Sequence, residues 1–556
     1  MSHPLFDKHR ATLERALTAI AERSYWSAFP ESASPKVYGE GAAEAGKAAF
    51  DALRDRPFSL DADAPGGGRR AGRERSPFGF DLGITYAAHD VDALFAAVGK
   101  AEAAWRRAGP EAWVGVSLEI LARLNRQSFV IAHAVMHTTG QAFMMAFQAA
   151  GPHAQDRGLE AVAYAWDAMR RVPPEATWEK PQGKHEPIRM HKRFRVVPRG
   201  IGLVIGCSTF PTWNGYPGLF ASLATGNAVI VKPHPGAILP LAISVKVARE
   251  VLAEAGFDPN VVTLVAHDAG DDTAQKLALR PEVRIIDFTG SSANGNWLEE
   301  HARQAQVFTE KAGVNQVIVD STDDLDGLAR NLAFSLSLYA GQMCTAPQNI
   351  YIPAGGIAVK DGRASFDDVA SAIADAVKKL LGDPARAVEI LGAVQSDATA
   401  ARIDAARGLG PAVLDSTTLA HPAFPDARIR TPLIVRVDAR DRDKYLAEWF
   451  GPIAFVIATR DTAHSLAIAR DTVRDKGALT LSVYSTDDDV VDKAVDVAED
   501  AGVALSINLT GNVYVNQSAA FSDFHGTGAN PAANAALTDA AFVASRFRVV
   551  QHRVHA

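Results

Sequence analysis

Residues 201–232 read IGLVIGCSTFPTWNGYPGLFASLATGNAVIVK. Two short apolar runs, Gly202–Ile205 and Ala228–Val231, flank a helical stretch, the order of a strand–helix–strand unit. The alternation continues through Val261–Val265, Val283–Phe288, Val317–Val319, Ile350–Ile352, Ile453–Ile457, Leu479–Tyr484 and Val503–Ile507. Helical stretches separate most of these runs, so the sequence predicts an α/β protein with parallel sheets covered on both faces. No repeat of fixed period appears.

Upstream, the first 60 residues read as helical, with Leu13, Leu17, Ile20 and Ala21 at helical spacing. Residues 65–75, PGGGRRAGRER, break regular structure and read as a mobile basic loop, more in keeping with solvated surface than with a grip on a phosphorylated ligand. Residues 91–170 are Ala-rich and helix-favouring, and residues 187–199 read as a strand. The tail, Ser545–Arg553, repeats the Phe-Arg-Val-Val of Phe194–Val197, so the two segments are candidates to pair with each other or to extend a partner's sheet.

A chain of 556 residues is long enough for roughly two to four domains with sizeable cores. Lys plus Arg number 57 against 64 Asp plus Glu. The resulting charge of −7 gives no electrostatic reason to expect nucleic acid or an anionic membrane as partner. Only Cys207 and Cys344 occur, which favours a reducing compartment. The N-terminus has no apolar signal region and no stretch is apolar enough to span a bilayer, so a cytoplasmic protein is expected.

Cys344 lies in YAGQMCTAPQ (339–348), after a helical stretch (323–338) and before a strand starting near Asn349. Gly341 permits a tight turn that presents the thiol at an element boundary, as a nucleophile requires; the competing reading is a small buried hydrophobe. Cys207 ends an apolar strand and reads as structural. FTGSSANG (288–295) follows a strand and opens a helix, a turn that aims backbone N–H groups at an anion, although it lacks the G-x-G-x-x-G spacing. Lys232 ends a strand, at the edge where doubly wound sheets bind ligands. Glu310 taken alone reads as a surface acid. His133 and His137 share one helix face, but no third ligand has metal-site spacing, so no metal is expected.

Taken together these segments resemble the aldehyde dehydrogenase superfamily over roughly residues 90–556. Phe288-Thr-Gly-Ser291 resembles its nicotinamide-cofactor loop, Thr309-Glu310 with Ala312-Gly313 its general-base segment, and Gly341-Gln-Met-Cys344 its nucleophile motif. Glu448-Trp-Phe-Gly-Pro452 resembles the segment whose Glu and Phe hold the nicotinamide ribose and ring, and Lys232-Pro233 the pair at the adenosine ribose. The N-terminal segment and tail most resemble the phenylacetate-degradation (PaaN-type) branch, which handles a CoA-linked semialdehyde. The resemblance implies a Rossmann-type cofactor domain, an α/β catalytic domain and a bridging β-hairpin. The expected boundaries are 1–90 for an N-terminal helical extension and loop, 91–309 for cofactor binding interrupted by the hairpin near 180–200, 310–520 for catalysis, and 521–556 for a tail with an oligomerisation strand.

Three positions depart from the family pattern. A gapless count from Pro198-Arg-Gly200 to Lys232 places Thr209 where the family has its oxyanion-binding Asn. Trp213-Asn214 matches that motif in letters but would need five deleted residues, and Asn214 then sits about a turn further on, facing the substrate tunnel. Pro235 replaces the Glu that selects NAD, so NADP or NAD is expected with NADP slightly favoured. Asn349 stands where an Arg is common.

The resemblance implies oxidation of an aldehyde to an acid. Cys344 forms a thioester, Thr209 or Asn214 steadies the oxyanion, and Glu310 activates the hydrolytic water. Ser208, Lys232, Gly290, Ser291, Gly295, Glu448 and Phe450 are the expected cofactor-binding residues. The expected partners are a small aldehyde, an acyl-CoA semialdehyde among the candidates, and further copies of the chain in a homodimer or homotetramer. Two alternatives stand beside this reading: a CoA-acylating dehydrogenase, whose members generally lack the Glu held here by Glu310, and a non-catalytic nucleotide-binding or structural protein on the same fold.

Overall fold

The structure is a computed structural model that describes residues 3–61 and 68–556. Its centre is two mostly parallel sheets. The first has five strands in the order Val262–Leu264, Val229–Lys232, Ile201–Ile205, Val283–Thr289, Gln306–Glu310, all parallel. The second has seven, in the order Ala412–Leu414, Leu433–Asp438, Ile453–Thr459, Asn349–Pro353, Gln316–Val319, Thr480–Tyr484, Ala504–Ile507, parallel except at the Ala412–Leu414 edge. Their central strands are buried on every residue, as Ile201–Ile205 and Asn349–Pro353 show. Helices on both faces demand that continuous apolarity.

The two Phe-Arg-Val-Val segments do pair. Phe547–His555 lies antiparallel to His185–Pro198 with Val549 opposite Val196, and Glu175–Gln182 completes a three-stranded sheet. Arg546, just before this tail strand, is fully buried and forms a two-pronged ion pair with Asp287 of the five-stranded sheet, with Nη1 2.7 Å from Oδ2. The same Nη1 donates to Ser222 Oγ at 2.8 Å and Nε to the Phe542 carbonyl at 3.1 Å. Gly218 is what leaves room for this pair, because a Cβ there would lie 2.4 Å from the Asp287 carboxyl carbon.

The N-terminal region forms helices Pro4–Lys8, Arg10–Glu22, Pro35–Tyr38 and Ala42–Leu53. The basic segment expected to be mobile is, from residue 69 onward, docked; residues 65–67 lie outside the described residues. Arg70–Ala71 pairs with Tyr86–Ala87, and the Gly72 N–H donates to Asp268 Oδ1 at 3.0 Å. Buried Glu74 accepts the N–H groups of Ile238 and Leu239, at 2.6 and 3.0 Å, where helix Leu239–Glu254 begins. The arginines hid this in the sequence: Arg69, Arg70, Arg73 and Arg75 are exposed while Ala71, Glu74 and Ser76 face inward. Among the described residues no helix is long and apolar enough to cross a membrane.

Removing one member of a buried ion pair strands the other in an apolar setting. Arg546→Met is expected to lower stability by about 3–5 kcal/mol in chemical denaturation, whereas Arg553→Met on the exposed tail should change it by less than about 1 kcal/mol.

Candidate active site

The loop that carries Cys344 is built by backbone reversal. After helix Leu325–Ser337, Tyr339, Ala340 and Gly341 take consecutive left-handed conformations, with φ of 51°, 48° and 61°. A Cβ on Gly341 would meet the Gly451 carbonyl at 2.6 Å, so glycine is required for space as well as for φ. Two buried residues with side chains in that region mark stored strain, which persists because the surroundings fix it. Gln342 donates to the Ala393 carbonyl and accepts from the Gln395 N–H, Asn315 Nδ2 donates to the carbonyls of Cys344 (2.7 Å) and Ala346 (2.9 Å), and Thr345 Oγ1 donates to the Asn516 carbonyl (2.8 Å).

Glu310 is the last residue of strand Gln306–Glu310 and only 1% exposed. The tail runs along this edge: Asn534 exchanges hydrogen bonds with Thr309, and the Lys311 N–H donates to the Ala532 carbonyl at 2.6 Å. That path delivers buried His525 to the carboxylate. Its Nε2 lies 3.0 Å from Glu310 Oε1 and 3.6 Å from Cys344 Sγ. Asn214 Nδ2, one turn into helix Pro211–Ala224, donates to the other carboxylate oxygen at 2.7 Å, and Asn214 Oδ1 accepts from the Cys207 thiol at 3.6 Å. Burial pushes the Glu310 carboxyl up, but His525, the Cys344 thiol and Asn214 outweigh it and hold the group below its ordinary range. Cys344 is pushed well above the usual thiol range by burial and by Glu310. Cys207 is pushed up to about 11 by burial.

The structure therefore brings Cys344, Glu310 and Asn214 together. Among the described residues Thr209 has no hydrogen bond to any of these three. Thr209 precedes the helix, its carbonyl accepts from Gln141 Nε2 at 2.8 Å, and its hydroxyl turns to Cys207. Cys207, read as structural, helps hold Asn214 through its thiol. Sequence reasoning missed His525 altogether; its position between Phe524 and Gly526 carries no motif.

Lys232 ends its strand beside Ile205, is 5% exposed, and has no hydrogen-bond or ion-pair partner among the described residues. Burial pulls its ammonium down to about 8. Nearby, buried His267 has an Nε2 with no partner among the described residues. A lysine without a hydrogen bond and a buried ring nitrogen without a partner, at the carboxyl edge of a parallel sheet, fit a polar, phosphate-bearing ligand such as a dinucleotide. Ser208 follows strand Ile201–Ile205, and Ser291 caps helix Ser292–His301. The Gly290 N–H is taken by the Glu310 carbonyl at 3.0 Å, and Gly295 gives room to the Lys311 side chain. Glu448 is half-buried, with its carboxyl pushed up to about 7 by burial. The Phe450 carbonyl accepts from Arg402. His133 and His137 stack in an aromatic cluster with Phe50.

Cys344, Asn214, Trp213 and His525 floor a cavity of about 910 Å³, whose walls include Met144, Phe334 and Tyr514. Part of the wall is N-terminal: Asp156 accepts from Ser27 Oγ and from the Ala28 N–H at 3.0 Å, tying residues 27–28 over the channel.

A model of the aldehyde dehydrogenase family matches residues 84–532. The chain is similar along its whole length to an NAD-dependent aldehyde dehydrogenase from Burkholderia multivorans of known crystal structure, with 67% identity, 100% of both chains covered and a TM-score of 0.99. It is 28% identical over 338 residues to the 1-pyrroline-5-carboxylate dehydrogenase of Bacillus cereus, covering 59% of this chain and 60% of that one, so the match spans less than two thirds of the curated relative. A Thermus thermophilus 1-pyrroline-5-carboxylate dehydrogenase shares the fold at 21% identity and a TM-score of 0.74, over 96% of this chain and 99% of that one.

Burial pushes the Asp156 carboxyl up to about 7. A carboxyl raised on folding contributes stability that is full below its unfolded pKa and lost as pH rises through the folded value. Asp156→Asn is neutral throughout, so its melting temperature relative to wild type should become more favourable between about pH 5 and about pH 8. A pH-independent difference contradicts this.

Proposed function

Given that the chain belongs to the aldehyde dehydrogenase family, we propose that it oxidises an aldehyde to the carboxylic acid through a thioester on Cys344, with NAD or NADP as hydride acceptor. The observation that carries this reading is the contact cluster of Cys344, Glu310 and Asn214 at the floor of an apolar channel. The relative from Burkholderia multivorans, described as NAD-dependent, supports the choice of cofactor. Pro235 in place of an acid leaves a 2′-phosphate unopposed. We assign cofactor binding to the five-stranded unit (91–309), with Ser208, Lys232, Gly290, Ser291, Gly295, Glu448 and Phe450 around it, and the covalent chemistry to residues 310–520.

Bound cofactor supplies the hydride acceptor. The chain's own residues do the rest. The Cys344 sulfur adds to the carbonyl carbon, and the second hydrogen of Asn214 Nδ2 faces the developing oxyanion. Once the thioester forms, Glu310, held by Asn214 and His525, takes a proton from the water that attacks the thioester.

The channel also bears on the substrate. Its acidic lining includes Glu31, Glu389 and Asp523, and among the described residues no lysine or arginine lines it. A CoA-linked semialdehyde of aromatic breakdown, suggested by the PaaN resemblance, would bring phosphates to that acidic rim. A neutral, hydrophobic or aromatic aldehyde meets Trp213, Phe334 and Tyr514 without that cost, and is the class we favour. The same rim disfavours CoA as the thioester's acceptor. We place this chemistry in a cytoplasmic homodimer or homotetramer built on the Phe547–His555 edge, where Val549, Val550 and Val554 are exposed.

A panel of aldehydes incubated with NAD and NADP, followed by reduced-cofactor absorbance, tests the reading. Aromatic aldehydes should turn over to the free acid and Cys344→Ala should abolish it. Asn214→Ala should lower kcat by about 10²–10³-fold and Thr209→Ala by less than tenfold. Turnover by Cys344→Ala, or equal losses at Asn214 and Thr209, overturns the assignment.

A further inference from the structure

Ionising Cys344 poses an electrostatic problem that the thiol and Glu310 cannot solve between them. Glu310 is buried and Cys344 half-buried, and the groups acting on the sulfur are Glu310, Glu448 and Cys207, each of which opposes a second negative charge. Among the described residues no lysine or arginine lines the cavity. Two adjacent buried anions without a cation are strongly disfavoured. The side chain in contact with both that can become a cation is His525, whose Nε2 lies 3.6 Å from Sγ and 3.0 Å from Oε1 of Glu310. Its ring is fixed by edge contact with Trp213 at 4.6 Å, and Arg157 sits over that indole at 5.2 Å. Its Nδ1 is buried with no partner among the described residues, so no second anion competes for the ring's charge.

We propose that His525 is a third catalytic side chain, which takes the Cys344 proton and holds the nucleophile as a thiolate–imidazolium pair before cofactor binds. The S–H bond breaks, its electron pair stays on sulfur, and the proton joins the imidazole, leaving the pair without net charge. The Nε2–H then lies between Sγ and the Glu310 carboxylate and is shared by two anions. When the sulfur is acylated this N–H remains on Glu310, keeping the base pointed at the thioester. The inference builds on the proposed role of Cys344 but concerns the resting thiol, so it can be tested without aldehyde turnover.

The test is alkylation of Cys344 by iodoacetamide in cofactor-free protein, followed by peptide mass across a pH series, for wild type and His525→Gln. Gln keeps a donor near Nε2 but cannot take the proton. Wild type should alkylate readily at neutral pH. His525→Gln should raise the midpoint by about one unit or more, which slows alkylation at neutral pH about tenfold. Coincident profiles overturn the proposal, as does a wild-type thiol that becomes reactive only in the range of an ordinary cysteine or only after NAD is added. Thiolate ultraviolet absorbance of wild type minus Cys344→Ser at neutral pH gives a second reading that does not depend on His525→Gln folding: a positive difference supports the pair and a null difference overturns it. Loss of aldehyde turnover with the alkylation profile intact would count against the proposed function and leave this inference standing.

Discussion

A carboxylate removed from water must be met by donors, and Glu310 is the point at which this protein satisfies that demand. Its donors come from distant parts of the chain: Asn214 from a helix after the first sheet strand, the Cys344 thiol from a strained turn, and His525 from a loop that runs along the edge strand. The folding of four segments is thereby tied to one buried charge. Leaving such a group unpaired costs several kcal/mol, so the cluster assembles as a whole.

The same arrangement sets up the chemistry. Burial and the Glu310 charge push the neighbouring thiol toward its neutral form, and the proposed transfer of its proton to His525 is what would offset that push. Separating pKa values in this way is how a site assigns different roles to adjacent groups. Lys232 and Glu448 are each moved toward neutrality by burial.

Much of the fold was legible in residues 201–232 and the runs that follow, because central parallel strands are apolar on both faces. The strand Gln306–Glu310 was not: it lies at a sheet edge and carries only Val307 and Phe308 as apolar residues. Leu433–Asp438 was hidden as well, its apolar run interrupted by Arg436, which reaches out to Asp367. The turn before Cys344 could be read from Gly341, whereas Tyr339 and Ala340 give no hint that they share its left-handed backbone. Helix phase, which carries Asn214 to the carboxylate, is invisible to the ungapped count that puts Thr209 on the family's Asn position. His525 lies 181 residues from the sulfur it touches, with no spacing rule to connect them.

The central claim is that the Cys344 sulfur carries the acyl group and Glu310 removes it. Intact-protein and peptide mass of Glu310→Gln after mixing with a turned-over aldehyde and NAD tests it most directly. The account predicts an acyl adduct on the Cys344 peptide that persists in this variant and is fleeting in wild type. An unmodified Cys344 peptide, or an adduct on any other residue, would contradict it.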